Sequence, residues 1–550
     1  MKYILTTLAA LFINCCIFAQ APQISYSTAL EEPDEMGWNK ILQLKNGNTF
    51  YFHWVKKEGI GVTVFNKDRK LVSNKVFNGN GWDAYEMNIM KVCALFEAEG
   101  KPVIIVQQLL DRVPSLFRVV LNPETGEKTE DILISKLPRL QAGYIFATSW
   151  GGVNPPAFHV EKDPYSNRYA IINFNSFAKE SDERIEAIVY DVENGTHKEV
   201  ARSNYDAQGF KYMRFVSMAF DNKQRLFVCA YAFNTENSGG KDSRLIVSRM
   251  AREEKNFTYK QLEFTDDFKD TKGLMKFNPG TGLMQVMTLT YLTAKKSYFS
   301  GKVSTSYMLL MSYIDPESLF LVGIKPFSGI YAATYMKEHF DNDKASLGMP
   351  MDMILNTDNT TTIVHEEMNK LLTPKGFSSE MLTVNCTVGN IGISVLDEKG
   401  AETEGYAINK KQTAIGDIAA FGVSNIHKGF WSYNESTRRI NAPFFSFDCI
   451  NTPSGTYIIF NEFPENFIKP DNKRRNAVDK ATTSSAVCYK YKNMKIDRFY
   501  LFGTPNDDDD NKFSYIQSGH YDKESNTYAT LIIDHHGRDK FAKIAWVKFH

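Results

Sequence analysis

Several apolar segments of this chain end in side chains that can bind a ligand or move a proton. They are His53, Gln107, Asn173, Thr290, His365-Glu366, Asn461-Glu462 and Asp534-His535-His536. Each stands at the same place in a repeated pattern, so they are expected to gather at one rim of the fold. The candidate ligand-binding ring is His53, Gln107, Asn173, Thr290, Glu366, Glu462, Asp534 and His535. Such a ring presents donors and acceptors to sugar hydroxyls, peptide groups or an ion. Strands that end in water also end polar, so the pattern implies no chemistry by itself.

Three members of the set are acidic and recur in successive repeats: Glu366, Glu462 and Asp534. Two carboxyl groups about 5–9.5 Å apart are what glycoside hydrolysis requires, one as acid and one as base or nucleophile. Asp534-His535-His536 and His365 carry metal-ligand side chains, but adjacent histidines in a strand point to opposite faces. No cofactor and no metal site is expected. Asp507–Asp510 lacks the glycine and terminal glutamate of a calcium loop. Gly239-Gly240-Lys241 lacks phosphate-loop spacing. There is no G-x-S-x-G, and His365-Glu366-Glu367 is not followed by a zinc-protease histidine.

The elements that must position these residues are strands. One phrase recurs eight times: a turn cluster, an apolar strand, a variable loop, a second apolar strand, another turn cluster and a third strand. The first copy reads Asn46-Gly47-Asn48, Thr49–Val55, Ile60–Phe65 and Asn66-Lys67-Asp68-Arg69. The second has Val103–Gln107, Leu116–Leu121 and Asn122-Pro123-Glu124-Thr125-Gly126. Asn, Asp, Gly and Pro supply the backbone angles of tight turns, and runs of Val, Ile, Tyr and Phe suit a pleated buried surface. A further apolar run precedes each first turn, which makes four strands per unit. Radial repetition of such units protects their edges.

These features predict an all-β fold: a β-propeller of eight four-stranded blades, with seven as the alternative because Met381–Cys386 is an extra apolar run. The eighth unit runs out of chain after its third strand, at Phe549-His550. A surplus strand-like segment, Gln23–Leu30, lies near the start and is expected to close the ring. Residues 20–550 are read as one propeller domain with an insertion around 409–444. The longest loops, including Ser176–Glu183, Asn234–Ser243, Glu367–Glu380 and Phe463–Ser485, join second to third strands. They therefore emerge on one face, where loops on a rigid scaffold commonly carry function.

Met1-Lys2, the apolar run Ile4–Phe18 and Ala19-Gln20 form a signal peptide over residues 1–19. The chain is thus expected to be secreted or periplasmic. Asn14 stands before Cys15 where lipidation wants a small residue, so a lipid anchor is not expected. No other segment reaches the length of a membrane span. Sixty-four basic residues balance 64 acidic ones, which argues against a nucleic-acid partner. Five cysteines remain after cleavage, too far apart for zinc or redox motifs, and their disulfide state is left open.

The ending Phe18-Ala19-Gln20 resembles the export signals of Bacteroidota, and the repeats resemble that group's uncharacterised secreted propeller-like proteins. The resemblance covers signal and architecture and carries no site residues. The expected role is non-catalytic: a monomer binding a protein, peptide or glycan on its long-loop face. The alternative is a glycan hydrolase or lyase using the acidic residues at the channel mouth.

Overall fold

The structure is a computed structural model that describes residues 22–33, 38–55, 57–84, 86, 90–140, 157–175, 185–234, 243–262, 271–296, 303–340, 347–374, 382–416, 420–432, 442–492, 495–505, 510–516, 518–537 and 539–549. The expected signal peptide lies outside them, as do residues 176–184, 235–242 and 375–381.

The turn clusters behave as their residue types dictate. Asn46, Asn66, Asn122, Asp163, Asp221, Asn278, Asp315 and Asp397 each accept a hydrogen bond through a side-chain oxygen from the backbone N–H two residues on. This local bond replaces a ladder bond and ends the strand. Between the turns the strands pair in order, and the result is eight antiparallel four-stranded blades arranged in a ring. Their first strands are Asn39–Gln43, Met90–Ala98, Ala157–Lys162, Tyr212–Phe220, Lys272–Asn278, Met349–Leu355, Asp448–Thr452 and Asp510–Ser514. From blade one to blade six the first strands of neighbouring blades touch one another, which places them innermost. The extra run near residue 381 is the opening of a 15-residue third strand, Leu382–Leu396, so blade six is whole.

Eight buried apolar clusters each join one blade to the next. The last couples blade eight to blade one through Phe513, Leu531, Ile533 and Trp546 against Ile41, Tyr51 and Phe65. Trp546 also donates its Nε1 proton to Thr49 Oγ1 at 3.0 Å. The chain start completes blade eight: Gln23–Tyr26 pairs antiparallel with Ala545–Lys548 as its outermost strand. The strand is shorter than the expected Gln23–Leu30; beyond it, Ser27 N–H bonds Ile544 O and Leu30 makes one isolated bridge to Ala542.

Candidate functional site

Strand polarity puts the second-to-third strand loops and the blade-to-blade connections on the same face. The insertion after blade six belongs to this face and crosses it. Phe421 N–H bonds Pro350 O on blade six, and a short helix follows, Gly422–His427. Lys428 O then accepts from Leu95 N–H of blade two, and Lys428 Nζ lies 2.7 Å from Glu161 of blade three. Trp431 pairs with Val92 of blade two. In a ring of eight, blades six and two stand opposite, so residues 420–432 form a strap across the channel. Gly429 permits the crossing: its φ is +81°, and a Cβ there would stand 2.5 Å from Leu95 Cβ.

Around the strap's helix, charged groups on the first strands of different blades meet His427. His427 Nδ1 is 3.9 Å from Asp352 on blade six, and its Nε2 is 4.0 Å from Asp448 on blade seven. Asp448 also accepts the Tyr528 hydroxyl at 2.6 Å, and Asp352 lies 3.3 Å from Lys276 Nζ of blade five. Lys40 of blade one faces the same space, and burial lowers its ammonium to about 8, with Asp448 opposing the shift. Burial likewise lowers the imidazole of His427, while the two aspartates pull it up. Sequence reasoning passed over these residues. For Lys40, Lys276, Asp352 and Asp448 the only signal is a charge in a short first strand.

The expected ring sits one strand further out, on the second strands. His53 stacks on Tyr51, and Gln107 Oε1 is reached weakly by Phe158 N–H at 3.4 Å. Asn173 is buried, and Thr290 bonds Thr271 at 3.1 Å. Glu366 and Glu462 are brought to the same lysine. Lys410 Nζ bonds Glu366 Oε1, Ser446 Oγ donates to Glu366 Oε2 at 2.8 Å, and the charge of Glu462 also acts on Lys410. Gln412 extends this network to Phe444 O and Asn461 O, so it anchors both ends of the insertion. Glu462 accepts from Asn466 and from Phe463 N–H, and burial pushes its carboxyl up to about 7. Asp534 stands apart on blade eight, bonded to Lys543 at 2.7 Å, and His535 is half-buried on the opposite side of that strand. The five described cysteines are buried thiols, and no disulfide joins them.

No family model matches the chain, and no curated protein sequence matches it. Solved structures similar to it include a prolyl endopeptidase (11% identity, TM-score 0.38), covering 91% of this chain and 55% of the other. The chain therefore spans about half the length of that peptidase. The polysaccharide lyase Uly1 is similar at 10% identity and TM-score 0.37, with 87% and 94% covered. A DUF4221 family member from Bacteroides vulgatus shares 8% identity at TM-score 0.28, with 63% and 91% covered. At these scores none carries a functional argument. Among the described residues no helix is long and apolar enough to cross a membrane.

Proposed function

We propose that this chain is an extracytoplasmic, non-catalytic propeller that binds a protein, peptide or glycan on the face carrying its long loops. The observation that carries this reading is the strap. Residues 420–432 join blade six to the opposite blade two and cross the channel between them. The face thereby becomes a built platform instead of the rim of an open axial pocket. Glu366 and Glu462, at the ends of their second strands, are held by local partners, Lys410 and Asn466. Specificity on this face belongs to exposed loop residues such as Arg112 and Ile468.

One observation favours the hydrolase or lyase alternative: a carboxyl that titrates near neutrality, as Glu462 does, is suited to proton transfer. Its side chain is almost wholly buried behind the Pro464–Phe467 turn of helix, which weighs against substrate contact.

The test is a thermal-shift and array screen of the mature protein against envelope glycans and peptides, run beside an assay for released sugar ends. The expected result is saturable binding without product, weakened by Arg112→Glu or Ile468→Asp. Product release, or binding that neither variant alters, overturns the reading.

A further inference from the structure

Blade eight carries a cluster that no step above employs. Asp510 opens its first strand and Asp534 and His536 end its second, all on the long-loop face. The strand register sets Asp510 opposite His536 and Lys512 opposite Asp534. Residues two apart on a strand share a side, so these four side chains lie together while His535, opposite Asn511, faces away. His536 Nδ1 is 3.0 Å from Asp510 Oδ1, and its Nε2 is 2.9 Å from Asp534 Oδ1. One ligand atom from each residue lies within 4.8 Å of the others.

A second, independent feature is the state of Asp534. The side chain is nine-tenths buried, and Lys543 holds its Oδ2 at 2.7 Å. Its Oδ1 is buried and, although His536 is close, receives no hydrogen bond of acceptable geometry. A carboxylate with one oxygen tied back and the other turned bare toward an imidazole and a second carboxylate is arranged as metal ligands are. The partner on Oδ2 does what outer partners of ligating carboxylates do, which is to fix orientation. His536 is about half exposed, so an ion has an entry path and a solvent position remains open.

We propose that Asp510, Asp534 and His536 form a binding site for a first-row divalent metal ion of the zinc class. The donor set selects among ions. Calcium takes six to eight oxygen ligands, and magnesium prefers oxygen with several retained waters. Here one imidazole and two carboxylates supply three ligands. Lys543 and Lys512, the latter 4.0 Å from Asp534 Oδ1, offset the negative charge that hard cations need. Three protein ligands plus one open position is a common zinc arrangement, with bonds of about 2.0–2.2 Å. An imidazole ligates through one nitrogen, so loading turns the His536 ring until a single nitrogen faces both carboxylates.

The test uses tag-free mature protein, stripped with chelator and titrated with Zn2+ by calorimetry, and separately with Co2+ followed by its visible spectrum. The expected result is one equivalent bound, a four-coordinate Co2+ spectrum and an upward shift of the melting midpoint by the metal. His536→Ala and Asp534→Asn should each weaken binding by more than about tenfold, whereas His339→Ala, on an exposed helix face, should not. If Asp534→Asn fails to fold, His536→Ala decides, because that side chain is exposed. Absence of a stoichiometric site in the wild type, or equal affinity in His536→Ala, overturns the proposal.

Discussion

Lys410 Nζ lies 2.5 Å from Glu366 Oε1, and both side chains are wholly buried. Burial lowers the ammonium, and the Glu366 charge and hydrogen bond oppose that shift. Removing one partner strands the other charge in a low-dielectric interior. Glu366→Ala should therefore cost on the order of 3–5 kcal/mol, seen as a fall in the urea midpoint. Pairing Glu366→Leu with Lys410→Met should recover much of the loss, since no charge is then left unpaired. A double variant no more stable than Glu366→Ala would contradict this account.

Glu462 makes stability depend on pH. Burial raises its carboxyl from an ordinary 4.5 to about 7, so the folded state favours the protonated form. That contribution is fully present below about pH 4.5 and is lost as pH rises toward 7. The interval corresponds to on the order of 3 kcal/mol. Glu462→Gln keeps an acceptor for Asn466 and cannot ionise. It should gain on the wild type as pH rises from 5 toward 8, measured as the difference in melting midpoint. A difference that stays constant over that range would refute the assignment.

Gly429→Val should loosen the strap while leaving the ring intact. The positive φ strains any L side chain there, and the new Cβ meets Leu95. The expected outcome is faster tryptic cleavage after Lys428 and faster amide exchange at Leu95, whose N–H bonds Lys428 O. Unchanged cleavage would mean that the crossing tolerates the added side chain.

A chain starting at Glu31 lacks the outer strand of blade eight. It loses the Gln23–Tyr26 ladder to Ala545–Lys548, the Ser27 bonds to Ile544 and the Leu30 bridge. Its melting midpoint should drop by several degrees, and the Ile544 and Trp546 amides, which face the lost strand, should exchange faster. A frayed terminus would lose neither. Equal melting of the two chains would show that the closure contributes nothing.

How far the residues alone disclose this protein varies along the chain. Asn122 with Gly126, and Asp221 with its neighbours, make turns through bonds spanning two to four residues, so the turn and both flanking strands follow from local sequence. The same holds for the surplus strand near the start and the missing strand at the end, because a ring leaves them only each other. The expected ring lies on second strands, where polar ends are conspicuous. Charges in first strands, such as Lys40, Asp352 and Asp448, are not legible as a site, because one charge in a strand does not reveal which edge faces a channel.

Eight blades, their turns and their order were thus set by the sequence itself, since each rests on side chains acting on their own backbone within a few residues. Three other features came only with the tertiary structure: the strap from blade six to blade two, the burial of Lys410 against Glu366, and the meeting of Asp510 with His536. Each joins residues distant in the chain. Their geometry depends on how the ring closes, and the energies of their charges depend on how much water that closure removes.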